Sequence, residues 1–168
     1  MSFFSKFCLL AILSCGLISC GGTNEPPTCN GQPVPIFDKI QGFEQHTFEV
    51  TGQNGKEFVS VPTLALDIEL YQSGCTNLEQ EYRFLLHGTL PTNTTPKECA
   101  ITIAQIFYNM SQLDPKLAQY AEWAKAVGQS AENFQYNETI LLDGSNIQAK
   151  ILKQQQTKST ILTVVFMS

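Results

Sequence analysis

Apolar and polar residues along this chain alternate like strands, then space like helices, then alternate again. The cleanest alternation lies beyond Pro62, where Leu64, Leu66, Ile68 and Leu70 share one face and Ala65, Asp67, Glu69 and Tyr71 the other. A two-residue period of this kind predicts a half-buried strand. After Ser73-Gly74-Cys75-Thr76-Asn77 comes a matching run, with Tyr82, Phe84 and Leu86 pointing one way and Glu81, Arg83 and His87 the other. Setting Glu69 opposite Arg83 brings Ile68 against Phe84 and Leu70 against Tyr82, so both faces agree on one antiparallel register. Upstream, residues 43–50 read as a short strand, and Gln53-Asn54-Gly55 carries the Asn-Gly signal of a hairpin turn. The next strand begins near Glu57 and breaks phase at Pro62, which has no N–H for a ladder and suits an edge or a bulge. Residues 33–38 are interrupted by prolines and read as extended.

Helical spacing takes over at Thr95-Pro96-Lys97-Glu98, where threonine is the N-cap, proline the first helical residue and glutamate the third after the cap. The helix runs to about Met110. Cys99, Ile103, Ile106, Phe107 and Met110 fall on one side, and Ile101 and Tyr108 widen it, which predicts a heavily buried helix. Asp114-Pro115 repeats the start signal. Leu117, Tyr120, Ala121, Ala124 and Val127 mark the buried side of a second helix, which Gly128 ends. Three β-rich runs close the chain, 139–142, 147–153 and 160–167, separated by Asp143-Gly144-Ser145-Asn146 and by a polar stretch, so they read as an antiparallel meander. The predicted class is α+β: an antiparallel sheet of about five to six strands with two consecutive helices on one face, in the order β-β-β-α-α-β-β-β.

The first nineteen residues belong to none of this. Lys6 precedes an almost wholly apolar run over residues 7–18, about twelve residues against the roughly twenty needed to span a bilayer as a helix. The run fits the apolar core of a secretory signal, followed by a small residue, Ser19, at the cut. An uncleaved anchor is disfavoured by the same shortness. Leu17-Ile18-Ser19-Cys20 resembles the lipobox of bacterial lipoproteins, with an aliphatic residue three before the cysteine and a small one just before it. The resemblance covers the first twenty residues only. It implies that the Cys20 thiol receives a diacylglyceryl group, that the signal is removed, and that the new amino terminus is acylated. The competing readings are an ordinary cleaved signal, or a cut at the similar Ile12-Leu13-Ser14-Cys15, which leaves an apolar core of only about seven residues. Gly21 follows Cys20 where an aspartate would favour inner-membrane retention, so the implied destination is the outer membrane, with the domain facing the periplasm or the cell surface. Acyl burial contributes about 0.8 kcal/mol per CH₂, so two or three chains make a durable anchor. The expected organisation is a signal over 1–19, a glycine- and proline-bearing tether over 20–32 and one domain over 33–168.

Composition narrows the partners. The full chain carries ten basic and fifteen acidic residues, a formal net charge of −5. Losing Lys6 makes the mature chain more acidic still, and with no basic cluster it suits neither nucleic acid nor anionic headgroups. Cys8 and Cys15 leave with the signal and Cys20 takes lipid. Cys29, Cys75 and Cys99 remain, and one disulfide plus one buried thiol is the economical arrangement in an oxidising compartment. Spacing leaves all three pairings open. No Cys-x-x-Cys or histidine pair points to a metal site.

Catalytic signals are sparse. His46 and His87 are the only histidines, both on predicted strands, and each reads as solvated more readily than as an acid or base. No H-E-x-x-H, G-x-S-x-G or glycine-rich phosphate loop occurs. Ser145 reads as a turn residue rather than a nucleophile. Asp67, Glu69 and Glu81 could form a glycosidase-like acid pair or bind calcium, but Arg83 among them argues for a solvated ion-pair ladder. Trp123, with Tyr120 one turn before it, falls at the edge of an apolar side, where it either packs on the sheet rim or offers a partner contact. No catalytic residue and no cofactor is expected. The reading that follows is a lipid-anchored, non-enzymatic envelope protein that binds an envelope or extracellular protein, as an assembly accessory or a hydrolase inhibitor. The alternatives are a small apolar-ligand carrier, with a pocket lined by Phe84, Ile103 and Phe107, and an envelope hydrolase.

Overall fold

The hairpin predicted around Glu69 and Arg83 lies at the centre of the sheet. A computed structural model describes residues 32–74 and 79–168. In it, β3 (Leu66–Ser73) pairs antiparallel with β4 (Glu79–Leu86), with Ile68 opposite Phe84, Glu69 opposite Arg83 and Leu70 opposite Tyr82. Leu66, Ile68, Leu70, Tyr82 and Phe84 are buried on one face.

On one side of this hairpin lie β2 (Asn54–Val61) and β1 (Glu44–Thr51). On the other lie β7 (Thr160–Met167), β6 (Gln148–Gln155) and the short β5 (Thr139–Leu141). The order across the seven antiparallel strands is β1-β2-β3-β4-β7-β6-β5. The class is therefore α+β, with seven strands rather than five to six. The extra strand arises at Pro62. Instead of only breaking phase there, the chain makes a 3-10 turn over Pro62–Leu64, and Ala65 takes a left-handed conformation (φ 51°) with its N–H on the Pro62 carbonyl. One interrupted strand thus becomes two paired ones, and Leu64 sits in the turn rather than on β3.

The first hairpin also turns two residues earlier than the Asn-Gly signal suggests. Thr51 pairs with Asn54, so Gly52 and Gln53 form the turn, with Gly52 at φ 62°. Gly55 instead lies in β2, where an added Cβ would come within 2.5 Å of the Pro33 Cβ. Its bareness serves close packing, not the turn.

Helix α1 (Pro96–Ser111) begins with the predicted capping box. The Glu98 N–H donates to Thr95 Oγ1 (3.3 Å), and the Thr95 N–H donates to Glu98 Oε2 (2.7 Å). Helix α2 covers Tyr120–Gln129 and starts later than Asp114-Pro115 implied. Asp114 accepts the Lys116 N–H (2.8 Å) and caps a 3-10 turn over Pro115–Leu117. The two helices and the segment 33–43 cover the inner face of the sheet, and one core runs through all of them. Its centre is aromatic. Phe107 meets Tyr82 and Phe84 edge-on at 5.3 Å and stacks on Tyr120 at 5.4 Å. The buried Tyr82 and Tyr120 hydroxyls lie 3.2 Å apart, and burial raises the pKa of both phenols. No described helix is long and apolar enough to cross a membrane.

Candidate functional site

Cys20, Cys29 and Cys75 lie outside the described residues. Each of the other candidates has a definite place. Cys99 is a free, buried thiol on α1, with Sγ 3.1 Å from the Tyr136 hydroxyl. Burial raises its pKa, outweighing the Tyr136 hydrogen bond.

The acidic row on the outer face of the sheet is an ion-pair ladder. Glu81 binds Arg83 Nε at 2.5 Å, and Glu69 receives Lys56 (3.4 Å), Arg83 (3.9 Å) and the Tyr71 hydroxyl (3.1 Å). The Arg83 guanidinium stands 4.5 Å over the Tyr71 ring. Neither glutamate is left as an unpaired acid beside the other. Asp67 accepts from Ser60 Oγ (2.6 Å) and from His87 Nε2 (3.0 Å). Partial burial works to raise its pKa, but these bonds and the charge on His87 bring it below the ordinary value. Aspartate lies between serine and histidine here, whereas a catalytic triad sets histidine between serine and aspartate. Ser145 is bound within its own turn, donating to the Leu142 carbonyl (3.1 Å).

His46 differs from its reading as a solvated strand residue. The pairing of β1 with β2 shifts register between Glu44 and Thr47, and Gln45 sits at φ 53°. This bulge turns His46 inward, as bulges re-aim side chains. Its Nε2 lies 2.6 Å from Glu57 Oε1, and its side chain is 25% exposed. Glu57 is the group that sequence reasoning missed. It is 0% exposed, and its carboxylate also accepts the Ile36 and Phe37 N–H groups, each at 2.8 Å. The signal was available, because Glu57 shares its strand phase with the buried Val59 and Val61. The clasp fastens the strap formed by residues 33–43, which delivers Phe37 and Ile40 to the core.

Among the described residues Val34, Val50, Ile101, Tyr108 and Leu141 are large hydrophobics left exposed, and Ile101 and Tyr108 share one helix, α1. Ile101 and Tyr108 were expected to widen the buried side of α1, yet they are 46% and 52% exposed. The neighbouring stretch of α2 sets Ala121, Ala124 and the exposed Lys125 beside them, and the alanines let the helices approach but cannot cover a large side chain. A groove of about 530 Å³ results, floored by Ala104, Ala121 and Ala124 and walled by Ile101, Tyr108 and Lys125. Residues 99–113 contain no charged side chain at all. Across α2 lies a second groove of about 340 Å³, between Trp123 and the loop carrying Asp143 and Ile147. Trp123 is half-buried, its ring 4.2 Å from that of Phe166, so it packs on the sheet rim while one side lines the groove. Tyr120, named beside it as a contact, fills the core instead and presents no surface.

Phe84, Ile103 and Phe107, the proposed lining of a carrier pocket, are each 0% exposed, and Phe84 and Phe107 pack directly on one another. Among the described residues, no cluster of three or more His, Cys, Asp or Glu could hold a metal ion. Fold and surface together define a two-layer α+β domain with a filled core and grooved helices. Comparison with family models, curated proteins and solved structures finds no match for the chain.

Proposed function

We propose that this chain is an envelope lipoprotein, anchored through acyl groups on Cys20, whose domain binds another protein through the outer face of α1 and α2. The anchor rests on the lipobox resemblance, which also favours the outer membrane. The binding face rests on one observation: Ile101 and Tyr108 stay exposed, seven residues apart on a stretch of α1 with no charged side chain, above a floor of alanines. Large apolar groups left uncovered together are characteristic of interaction surfaces, and tyrosine is enriched among residues that dominate binding energy. The filled aromatic core weighs against an internal carrier pocket. The ion-paired acids supply no free general acid or base for a hydrolase.

The test is site-specific photo-crosslinking in cells that export the protein. A crosslinker at Ile101 or Tyr108 captures the same protein partner, whereas one at Glu49, exposed on the edge strand β1, does not. Equal capture from all three positions, or none from the helix positions, overturns the proposal.

A further inference from the structure

We infer that the groove between Trp123 and the turn joining β5 to β6 binds a neutral oligosaccharide. The apolar part of its lining is Trp123, Ala126, Leu142 and Ile147, and its volume of about 340 Å³ falls at the small end of the range for ligand sites. An apolar recess of about 190 Å³, lined by Phe166 and Met167 among others, shares Trp123 and Ile147 with it. The indole therefore borders two neighbouring recesses.

Both walls are held in place before any ligand arrives. The Trp123 ring rests on Phe166, with 4.2 Å between centroids. The turn opposite is tied to the end of α2, where the hydroxyl of Ser130, 0% exposed, accepts the Asp143 N–H at 2.9 Å. Within the turn, Ser145 donates to the Leu142 carbonyl (3.1 Å) and accepts the Ile147 N–H (3.2 Å). A preorganised site loses little freedom on binding, so few contacts suffice for affinity.

The polar rim selects the ligand. Glu122, Lys125, Gln129 and Asp143 line the groove, exposed, and none of their side chains has a hydrogen-bond or ion-pair partner among the described residues. The carboxylates accept, the ammonium donates and the amide does both. A wholly apolar ligand would strip water from these groups without replacing its bonds. A cation would meet Lys125, and an anion would meet Glu122 and Asp143. The buried centre of a protein interface is depleted in Lys, Glu and Asp, yet three of these lining residues are of those types. A sugar ring fits every feature: its C–H face lies against the indole, and its hydroxyls, each a donor and an acceptor, meet the mixed rim. This groove shares only Lys125 with the one beside Ile101 and Tyr108, and the inference does not rest on the partner proposed for that face.

Trp123 is the only tryptophan in the chain, so its fluorescence reports on the site directly. The mature protein, in a detergent without a sugar headgroup, is titrated with chitotetraose, cellotetraose and maltotetraose, which separate acetamido sugars from plain hexoses, and with spermidine as a cationic control. At least one tetrasaccharide is expected to shift the emission saturably, and spermidine is not. Calorimetry then compares variants of exposed side chains. Asp143→Ala and Gln129→Ala should each weaken binding of that sugar about three- to tenfold, the loss of one hydrogen bond, with the thermal midpoint unchanged. Ile101→Ala should bind it like the parent. No saturable response to any of the three sugars, spermidine binding as tightly as the sugar, or parental affinity in both rim variants would each overturn the inference. A crosslinker at Gln129 that captures a protein in exporting cells, when no sugar binds the purified protein, would overturn it in favour of a protein occupant.

Discussion

Replacing Glu57 by alanine tests whether the buried clasp holds the N-terminal strap. The native carboxylate accepts three donors within 2.8 Å: the Ile36 and Phe37 N–H groups and His46 Nε2. Removing it leaves the Phe37 N–H buried without an acceptor, which costs about 1–3 kcal/mol. The Ile36 amide and His46 are nearer water and recover part of their bonding, so each adds about 0.5–1.5 kcal/mol. Against this, a charge no longer has to be kept out of water, and buried ion pairs often recover little more than their desolvation. The balance predicts a loss of about 2–4 kcal/mol. Urea unfolding measures it as a lowered midpoint, and amide exchange locates it, with Ile36 and Phe37 accelerated well beyond the strands β3 and β4. Loss of less than about 0.5 kcal/mol would mean that desolvation consumes all that the clasp contributes. Unchanged exchange at those two amides would show that the strap is held by its apolar residues alone.

Other outcomes follow from the same geometry. The folded-state pKa of Asp67 is depressed, so it stabilises the fold above the ordinary aspartate range and loses that contribution as pH falls through its lowered value. An NMR titration should place its midpoint below 3.8 and move it upward in His87→Ala; an unmoved midpoint would remove His87 as a cause. Gly55→Ala drives a methyl into Pro33 and should cost about 1–3 kcal/mol in denaturant melts, as overpacking does. By contrast, Gly88→Ala, where nothing lies within 4 Å, should be nearly neutral. Thr95→Ala removes the cap of α1 and should cost about 1 kcal/mol with the sheet unaltered, measured by thermal unfolding.

Much of the fold was legible because period and chemistry agreed locally. The β3–β4 register required no distant information: two alternating runs and one charge pair allowed a single alignment. The capping box of α1 was likewise complete within four residues. The places where the reading failed needed a neighbour from elsewhere in the chain. Asn54-Gly55 looks like a turn until Pro33 is seen packed on it. Ile101 and Tyr108 look buried until α2 proves to set two alanines and an exposed lysine beside them. His46 looks solvated unless the bulge at Gln45 is known, since a single inserted residue reverses which way a strand side chain points.

What this sequence determines unaided is the set of local decisions: where strands alternate, where helices begin, and that residues 17–20 carry the lipobox pattern. Each depends on side chains a few positions apart, whose geometry follows from the backbone period. The tertiary structure alone decides which apolar groups find a cover and which acids find a partner. Glu57 and Ile101 show the difference. A charge is tolerable in a core when three distant donors converge on it, and a large apolar residue stays in water when the helix packed beside it is too slender to cover it.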